Sequence, residues 1–283
     1  MTTIGAAWRR LRDRFRDAKI DRPEVDAHFL AEAVFEMTHS DLLRHELGPV
    51  TVAQERRLDE FGSRRLSGEP IARILGEKAF YGRMFRVNGA TLVPRPETEL
   101  LVTLAHRALM NHPHPLILDL GTGTGCIAIS LLADLPRAQA VAIDLSVDAL
   151  TMARLNAVTH KVDDRLSLSA GSWFDPLEPG ERFDVIVSNP PYVESDVIPT
   201  LMPEVKDHDP MLALDGGADG LAAYRIILAG ARERLNLGGM LIVEIASTQG
   251  AAVSELARAS GFVTITLEKD LAGLDRAVLL HHL

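Results

Sequence analysis

The sequence predicts an α/β fold: a Rossmann-like, mostly parallel sheet with helices on both faces, preceded by a small N-terminal helical domain. Three observations carry this. Apolar residues before about residue 75 recur at helical spacing. From Leu116 onward, short apolar runs of strand length alternate with helical segments, the pattern of a parallel sheet covered on both sides. Two of those runs end in compact glycine or proline motifs, at the carboxyl edge where open α/β sheets bind ligands.

Residues 1–75 read as the helical domain. Trp8, Leu11, Phe15 and Ala18 fall on one helical face. Pro23 and Glu24 after Asp21 mark a second helix start, with Ala27, Leu30, Ala31 and Val34 facing inward. Thr51 with Gln54 forms a capping box ahead of Val52, Leu58 and Phe61. No catalytic pattern stands out here, so the expected role is substrate docking or a lid. Residues 76–96 change character: Phe80, Tyr81, Phe85 and Val87 with Gly82 and Gly89 predict a β-hairpin linker. Leu92-Val93-Pro94-Arg95-Pro96-Glu97-Thr98-Glu99 follows, with two prolines fixing the backbone, and a helix is expected from Thr98 to Met110.

Residues 97–283 form the expected sheet domain. The strand candidates are Leu116–Leu120, Ala140–Ile143, Leu166–Ser169, Phe183–Val187, Met240–Ile245, Phe262–Leu267 and Ala277–Leu280, most of them separated by helical stretches. There is no internal repeat and no low-complexity segment.

Composition narrows the class. Of the 283 residues 47% are hydrophobic and 24% charged, as in ordinary globular chains. No stretch approaches the roughly 18 uninterrupted apolar residues of a membrane helix. Arginines interrupt the N-terminus, which therefore lacks a signal-peptide core, and Asp13, Asp17, Asp21 and Glu24 are too acidic for an organellar leader. The single cysteine, Cys126, excludes an internal disulfide and a cysteine-based zinc site; a reducing, cytoplasmic setting is expected. The net charge of -9 weighs against a phosphate-backbone substrate. The one basic cluster, on the first helix, reads as a solvated face.

Asp119-Leu120-Gly121-Thr122-Gly123-Thr124-Gly125-Cys126 lies between the first strand of the sheet domain and a helix. Glycines there permit tight turning and close backbone approach, and the helix start offers N–H groups to a negative ligand group. A dinucleotide fingerprint needs glycine or alanine where Cys126 stands. The Gly-x-Gly-x-Gly form instead resembles the S-adenosylmethionine loop of class I methyltransferases. Cys126 reads as a small buried residue of the first helical turn. Asp144 ends the next strand, placed to accept hydrogen bonds from both hydroxyls of a ribose, while Ser146 is available to cap the following helix. In the loop after the third strand, two readings of Trp173 stay open, stacking on an adenine whose edge Ser172 bonds, or core packing.

Ser188-Asn189-Pro190-Pro191-Tyr192 closes the fourth strand. An amide nitrogen is a poor nucleophile because its lone pair is delocalised, so its NH2 group must be held in line with the methyl donor. The Asn189 side-chain oxygen accepts one N–H, the Pro190 carbonyl the other, and Tyr192 packs on the planar group. The prolines aim that carbonyl. Two acceptors also stabilise the positive charge that develops on nitrogen. These residues alone indicate methyl transfer to a planar nitrogen.

At these motifs the chain resembles the HemK-type N5-glutamine methyltransferases of peptide chain release factors. The resemblance rests on Pro94 to Glu99, Asp119 to Gly125, Asp144, Trp173, Asn189 to Tyr192, Leu212 to Gly217 and Asp219 to Leu221; Asp209-Pro210 stands where the family usually has Glu-Pro. It implies a class I S-adenosylmethionine methyltransferase fold and S-adenosylmethionine as cofactor, bound by Gly121, Thr122, Gly123, Thr124, Gly125, Asp144, Trp173 and Asn189. It also implies that Asn189, Pro190, Pro191 and Tyr192 hold the substrate glutamine, with Asn189, Pro190 and Tyr192 serving catalysis. The implied substrate is the glutamine of a Gly-Gly-Gln loop in class I release factors. Three alternatives stay open on the sequence: a glutamine of a ribosomal protein, adenine-N6 methylation of nucleic acid, and a non-catalytic binding module.

Overall fold

The computed structural model describes residues 2–282. The chain divides into two compact units, Met1–Gly76 with Met202–His208, and Glu77–Leu201 with Asp209–Leu283.

The first unit is helical. Thr3 caps α1 (Ile4–Asp17), accepting from the Ala6 N–H, and Trp8, Leu11 and Phe15 are buried. Ala18, expected on the same face, lies past the last turn and is exposed; Ile20 packs against the core instead. Helix α2 (Pro23–Phe35) starts on its proline and buries Ala27, Leu30, Ala31 and Val34. Helices α3 (His39–Arg44), α4 (Val52–Leu66) and α5 (Ile71–Leu75) follow. Both bonds of the Thr51–Gln54 capping box form ahead of α4. Val52 is 83% exposed, because the inward face of α4 is set by Leu58 and Phe61.

The basic run of α1 is not simply solvated. Arg9, Arg10 and Arg14 pair with Glu46, Glu55 and Asp59 at 2.9, 2.8 and 2.9 Å. Each such exposed pair contributes little alone. Arg65 differs: its residue exposure is 6%, and it donates to Asp26 of α2 at 2.6 Å and to Glu204 at 2.9 Å. That pairing ties Met202–His208 into this unit.

The second unit opens with strands β1 (Glu77–Phe80) and β2 (Arg83–Arg86), an antiparallel hairpin. Its turn residues Tyr81 and Gly82 both have positive φ, 48° and 70°, as a tight hairpin requires. A 3-10 turn over Pro96–Thr98 leads into α6 (Glu99–Leu109), one residue shorter at each end than expected. Then come β3 (Leu116–Leu120), α7 (Cys126–Asp134), β4 (Gln139–Asp144), α8 (Val147–Thr159), β5 (Leu166–Ala170) and β6 (Phe183–Ser188). The one-turn helix α9 (Pro203–Lys206) belongs to the first unit; in the second, the one-turn helix α10 (Met211–Leu214) precedes α11 (Ala222–Arg234), β7 (Leu235–Glu244), α12 (Gly250–Ala259), β8 (Thr264–Lys269) and β9 (Asp275–His281).

The sheet runs β5-β4-β3-β6-β7-β9-β8. Strands β3 to β7 are parallel, whereas β9 is antiparallel to both β7 and β8. Helical stretches were expected between most of the strands; β8 and β9 have none between them and are joined only by the turn Asp270–Leu274, too short for anything except a hairpin. Strand β7 also begins earlier than expected, passing through Gly238-Gly239 with a register shift opposite Phe183–Val185. Successive residues of the central strands feed opposite cores. Ile117, Val185, Val187 and Ile242 pack with α6 and α7, while Leu118, Ile186, Leu241 and Val243 pack with α11 and α12. Strand order reverses between β3 and β6, and the crevice outside their carboxyl ends is where such sheets place ligands. Leu120 and Ser188, the last residues of these strands, are register partners, and the Ser188 hydroxyl donates to the Leu120 carbonyl at 2.8 Å. Among the described residues no helix is long and apolar enough to cross a membrane.

Candidate active site

The glycine loop folds back on β4: Gly121 and Thr122 N–H both donate to the Ile143 carbonyl, at 2.9 and 3.0 Å. Gly121 and Gly123 have φ of 71° and 56°, line a cavity of about 300 Å³, and have no atom within 4 Å of where a Cβ would stand. Any side chain there would occupy space that a ligand needs. Gly125 is different. It is the N-cap of α7, is absent from the cavity wall, and a Cβ on it would meet Ile129 Cδ1 at 2.7 Å and Ala153 Cβ at 3.2 Å. Its glycine serves the packing of α7 on α8.

Asp144 lines the cavity at the end of β4. Its Oδ2 accepts from the Gly123 N–H at 2.8 Å and its Oδ1 from the Ser146 N–H at 2.9 Å. Ser146 caps α8 through the Ala149 N–H at 3.2 Å. Each Asp144 oxygen therefore keeps a lone pair for a further donor. Trp173 and Ser172 also line the cavity, Trp173 with φ of +47°, an uncommon conformation for a bulky residue. Thr122, Thr124 and Cys126 complete this wall. Burial pushes the Cys126 thiol up to about 12, so it stays protonated and inert.

The start of α7 was expected to face a negative ligand group. Asp119 takes that place: fully buried, its Oδ2 accepts from the Thr122 hydroxyl at 2.7 Å and the Ala128 N–H at 3.3 Å. Burial raises its carboxyl to about 7 despite both bonds. Its Oδ1 has no hydrogen-bond partner among the described residues.

The turn after β6 holds its parts differently. Asn189 reaches the cavity, and its Nδ2 donates to the Thr98 hydroxyl at 3.1 Å. No hydrogen bond from the described residues occupies Asn189 Oδ1 or the Pro190 carbonyl. Pro191 lines the cavity, whereas Pro190 is buried behind it. Tyr192 does not line the cavity, where it was expected to lie on a substrate. Its ring packs against the core on the α11 side, its hydroxyl donates to Glu244 Oε1 at 3.4 Å, and its carbonyl accepts from Gln249 Nε2 at 3.1 Å. Burial, then the nearby Glu244 charge, raises its phenol further above the ordinary range.

Leu212 to Leu221 seats this turn. A Cβ on Gly220 would lie 2.5 Å from the Tyr192 carbonyl oxygen, and one on Gly216 would lie 2.8 Å from Tyr192 Cα. Only glycine permits that approach. On the opposite rim, Arg95 pairs at 2.5 Å with Asp209, whose side chain is 1% exposed.

Comparison with known proteins gives this geometry its family. Residues 6–76 match the PrmC N-terminal domain and residues 97–204 the Methyltransferase small domain. The release factor glutamine methyltransferase of Caulobacter vibrioides is 40% identical over 277 residues, 98% of this chain and 96% of its own length. That of Bradyrhizobium diazoefficiens is 44% identical over 280 residues, 98% of this chain and 94% of its own. The chain belongs to the release factor glutamine methyltransferase family. A solved methyltransferase from Pyrococcus furiosus shares its fold, with TM-score 0.52 and 17% identity over 79% of this chain and 98% of that one.

The family's cofactor, S-adenosylmethionine, suits the cavity. Asp144, Asp148 and Arg95 are the charged residues around it, so acids outnumber bases at a site for a sulfonium and an ammonium. Ile127, Ile143 and Leu145 supply apolar wall. Three residues that the sequence analysis gave no role hold the frame. Buried Asn156 donates to the Thr124 and Arg86 carbonyls at 2.9 and 3.1 Å and accepts from the Arg86 N–H at 2.8 Å. The other two are Thr98 and Glu244, behind the turn.

Proposed function

We propose that the enzyme methylates the side-chain amide nitrogen, N5, of the glutamine in the Gly-Gly-Gln loop of class I peptide chain release factors. One observation carries the reading: the Asn189 NH2 group is tied back to the Thr98 hydroxyl at 3.1 Å, which leaves Asn189 Oδ1, on a residue that lines the cavity, without a hydrogen bond from the described residues, and the carbonyl of the next residue, Pro190, is likewise without one. An amide NH2 has two donors, and this pair accepts both. The full-length relationship to release factor glutamine methyltransferases supports the same substrate.

S-adenosylmethionine supplies an electrophilic methyl group on a sulfonium centre. The chain's residues do the rest by orientation. Asp144 takes the two ribose hydroxyls, Trp173 and Ser172 the adenine, and Gly121 to Thr124 give backbone space for the remainder. Asn189 and Pro190 hold the glutamine nitrogen so that its lone pair faces the methyl, and they stabilise the positive charge that grows on it. With the cofactor bound, one N–C bond would form as the methyl–sulfur bond breaks, the bond's electron pair staying on sulfur as a neutral thioether, and the nitrogen would release one proton to water. Pro191 closes the cavity beside the amide, and Tyr192 fixes the turn from behind. The helical unit docks the release factor, a role that needs no cofactor contact, and a substrate of this kind places the enzyme in the cytoplasm.

The test is transfer of an isotope-labelled methyl group to release factor, ribosomal protein and DNA offered separately under identical conditions. Release factor is expected to take label far faster than the other two. Preferential labelling of ribosomal protein or DNA overturns the substrate assignment.

A further inference from the structure

The turn after β6, residues 189–192, carries two prolines, so Pro190 and Pro191 have no backbone N–H with which to tie it down. Its far end is held by a side chain 57 positions away. Gln249 stands at the N-cap of α12 but gives that helix no side-chain cap. Its NH2 group donates instead to the Tyr192 carbonyl at 3.1 Å and to the Gly220 carbonyl at 3.2 Å. Its Oε1 accepts from the Ala246 N–H at 3.0 Å, and the Tyr224 hydroxyl of α11 reaches the same oxygen at 3.5 Å. One side chain thus joins the turn, the glycine-rich stretch that seats it, the loop after β7 and α11.

The direction of this amide is fixed by its partners. A side-chain amide can in general be turned end for end. Here three of the four partners are backbone groups, and a backbone N–H only donates while a carbonyl only accepts. The Ala246 N–H therefore holds Oε1, and both hydrogens of Nε2 go to Tyr192 and Gly220. The junction is also tight: a Cβ on Gly220 would lie 2.5 Å from the Tyr192 carbonyl oxygen and 2.7 Å from Gln249 Nε2. Beyond the turn, the Val193 N–H donates to the Leu214 carbonyl at 2.9 Å and the Gly216 N–H to the Val193 carbonyl at 2.8 Å. The Pro190 carbonyl therefore lies between two anchored points. On one side the Asn189 NH2 group is bonded to Thr98 at 3.1 Å, and on the other the Tyr192 carbonyl is bonded to Gln249. The proline rings fix φ between them, so holding both ends leaves the Pro190 carbonyl little freedom of direction.

We infer that Gln249 is a positioning residue for methyl transfer: by clamping the Tyr192 carbonyl beside Gly220, it sets the direction of the Pro190 carbonyl that meets the substrate amide. The inference rests on the proposed role of the turn and extends it to a residue that does not line the cavity. Loss of Gln249 should therefore act on transfer and spare cofactor binding.

The experiment uses the full-length enzyme. It reads single-turnover transfer at saturating S-adenosylmethionine and release factor, and cofactor Kd separately. Gln249→Met keeps the length and bulk of the side chain and removes its hydrogen bonds. It is expected to slow transfer about 5- to 50-fold, the loss of two neutral hydrogen bonds together, with cofactor Kd near the wild-type value. Gln249→Glu keeps the shape, but when ionised it turns a negative oxygen toward two carbonyls and has no donor for either. Its transfer is expected to be at least as slow at neutral pH, and to recover relative to wild type as pH falls, because the protonated carboxyl regains one O–H donor. The titratable and charged groups bonded around the junction are Tyr192 with Glu244, Tyr224 of α11, Arg276 of β9 at the Ile245 carbonyl, and the Asp219–Arg225 pair beside Gly220. Both enzymes carry all of them, so the ratio of rates reads position 249.

A wild-type rate in Gln249→Met overturns the inference, and so does a slow rate matched by an equal loss of cofactor affinity. If Gln249→Met does not fold, Gln249→Glu decides: a rate ratio that does not change with pH overturns the clamp. Asn189→Ala separates the two readings. Slow Asn189→Ala with normal Gln249→Met removes only the clamp, and normal Asn189→Ala removes the role of the turn itself.

Discussion

Two acids end strands at the carboxyl edge of the sheet, and the chain holds them in opposite ways. Asp144, at the end of β4, is fastened by two backbone N–H groups, those of Gly123 and Ser146. Glu244, at the end of β7, is contacted by the side-chain hydroxyl of Tyr192 at 3.4 Å. A backbone donor is present whatever the side chains are, so the first acid is placed by the fold alone. The second depends on the identity of distant residues. On the proposed reading, cofactor recognition is built into loop geometry, whereas the turn that meets the substrate is held by side chains from distant parts of the chain, Asn189 by Thr98 and Tyr192 by Glu244.

That contrast predicts effects of different size and kind. The largest falls on the turn: Asn189→Ala should slow single-turnover transfer by ~100- to 1000-fold, the cost of losing one preorganised group at a developing charge. Cofactor affinity, measured calorimetrically, should weaken about tenfold or less. A near-normal rate would make the turn a structural element only.

Next comes stability. Burial raises Glu244 from 4.5 to about 7, so between those values the folded chain holds a proton on Glu244 that the unfolded chain has released. Stability from this group is full below the unfolded value and is lost as pH rises through about 7, on the order of 3 kcal/mol. Urea midpoints of the cofactor-free enzyme should therefore fall more steeply between pH 5 and pH 8, two chosen buffers spanning about the folded value, than those of Glu244→Gln. Parallel curves would show that Glu244 does not titrate there.

Asp144→Ala should weaken S-adenosylmethionine binding by roughly 1.5–3 kcal/mol, the worth of hydrogen bonds to a charged group, and leave the single-turnover rate at saturating cofactor near normal. An unchanged dissociation constant in calorimetry takes Asp144 out of the site. The smallest effect belongs to the helical unit. Phe29 and Leu47 are 48% and 81% exposed, and replacing either with Asp should raise the KM for release factor by about three- to tenfold, near 1 kcal/mol at an interface. Cofactor Kd should not move; an equal loss in both would contradict a docking role.

Much of this was legible in the sequence because it lies in contiguous motifs. The glycine loop, Asp144 and the Asn189 turn each end a strand, and apolar runs of strand length locate strand ends well. Strand direction is not written in such runs, so the β8–β9 hairpin was missed. Gly125 was grouped with its loop neighbours although a Cβ there meets Ile129 rather than open cavity. The supporting residues were hidden for a different reason. Asn189 and Thr98 are 91 positions apart, Arg86 and Asn156 70, and Tyr192 and Glu244 52. No local pattern joins them. Thr98 stood only as the first residue of an expected helix, and Glu244 inside an expected strand; only the fold brings them to the turn, Thr98 to Asn189 and Glu244 to Tyr192.

The most direct test of the account is the position of the methyl group. Release factor treated with enzyme and S-adenosylmethionine should yield, by peptide mass spectrometry, a Gly-Gly-Gln peptide with one added methyl on the glutamine side-chain nitrogen. A release factor with glutamate in place of that glutamine should take none, because it offers no NH2 group to the Asn189 and Pro190 acceptors. Methylation of the glutamate form, or a methyl group on another residue of the wild-type substrate, would contradict the claim that this turn selects an amide nitrogen.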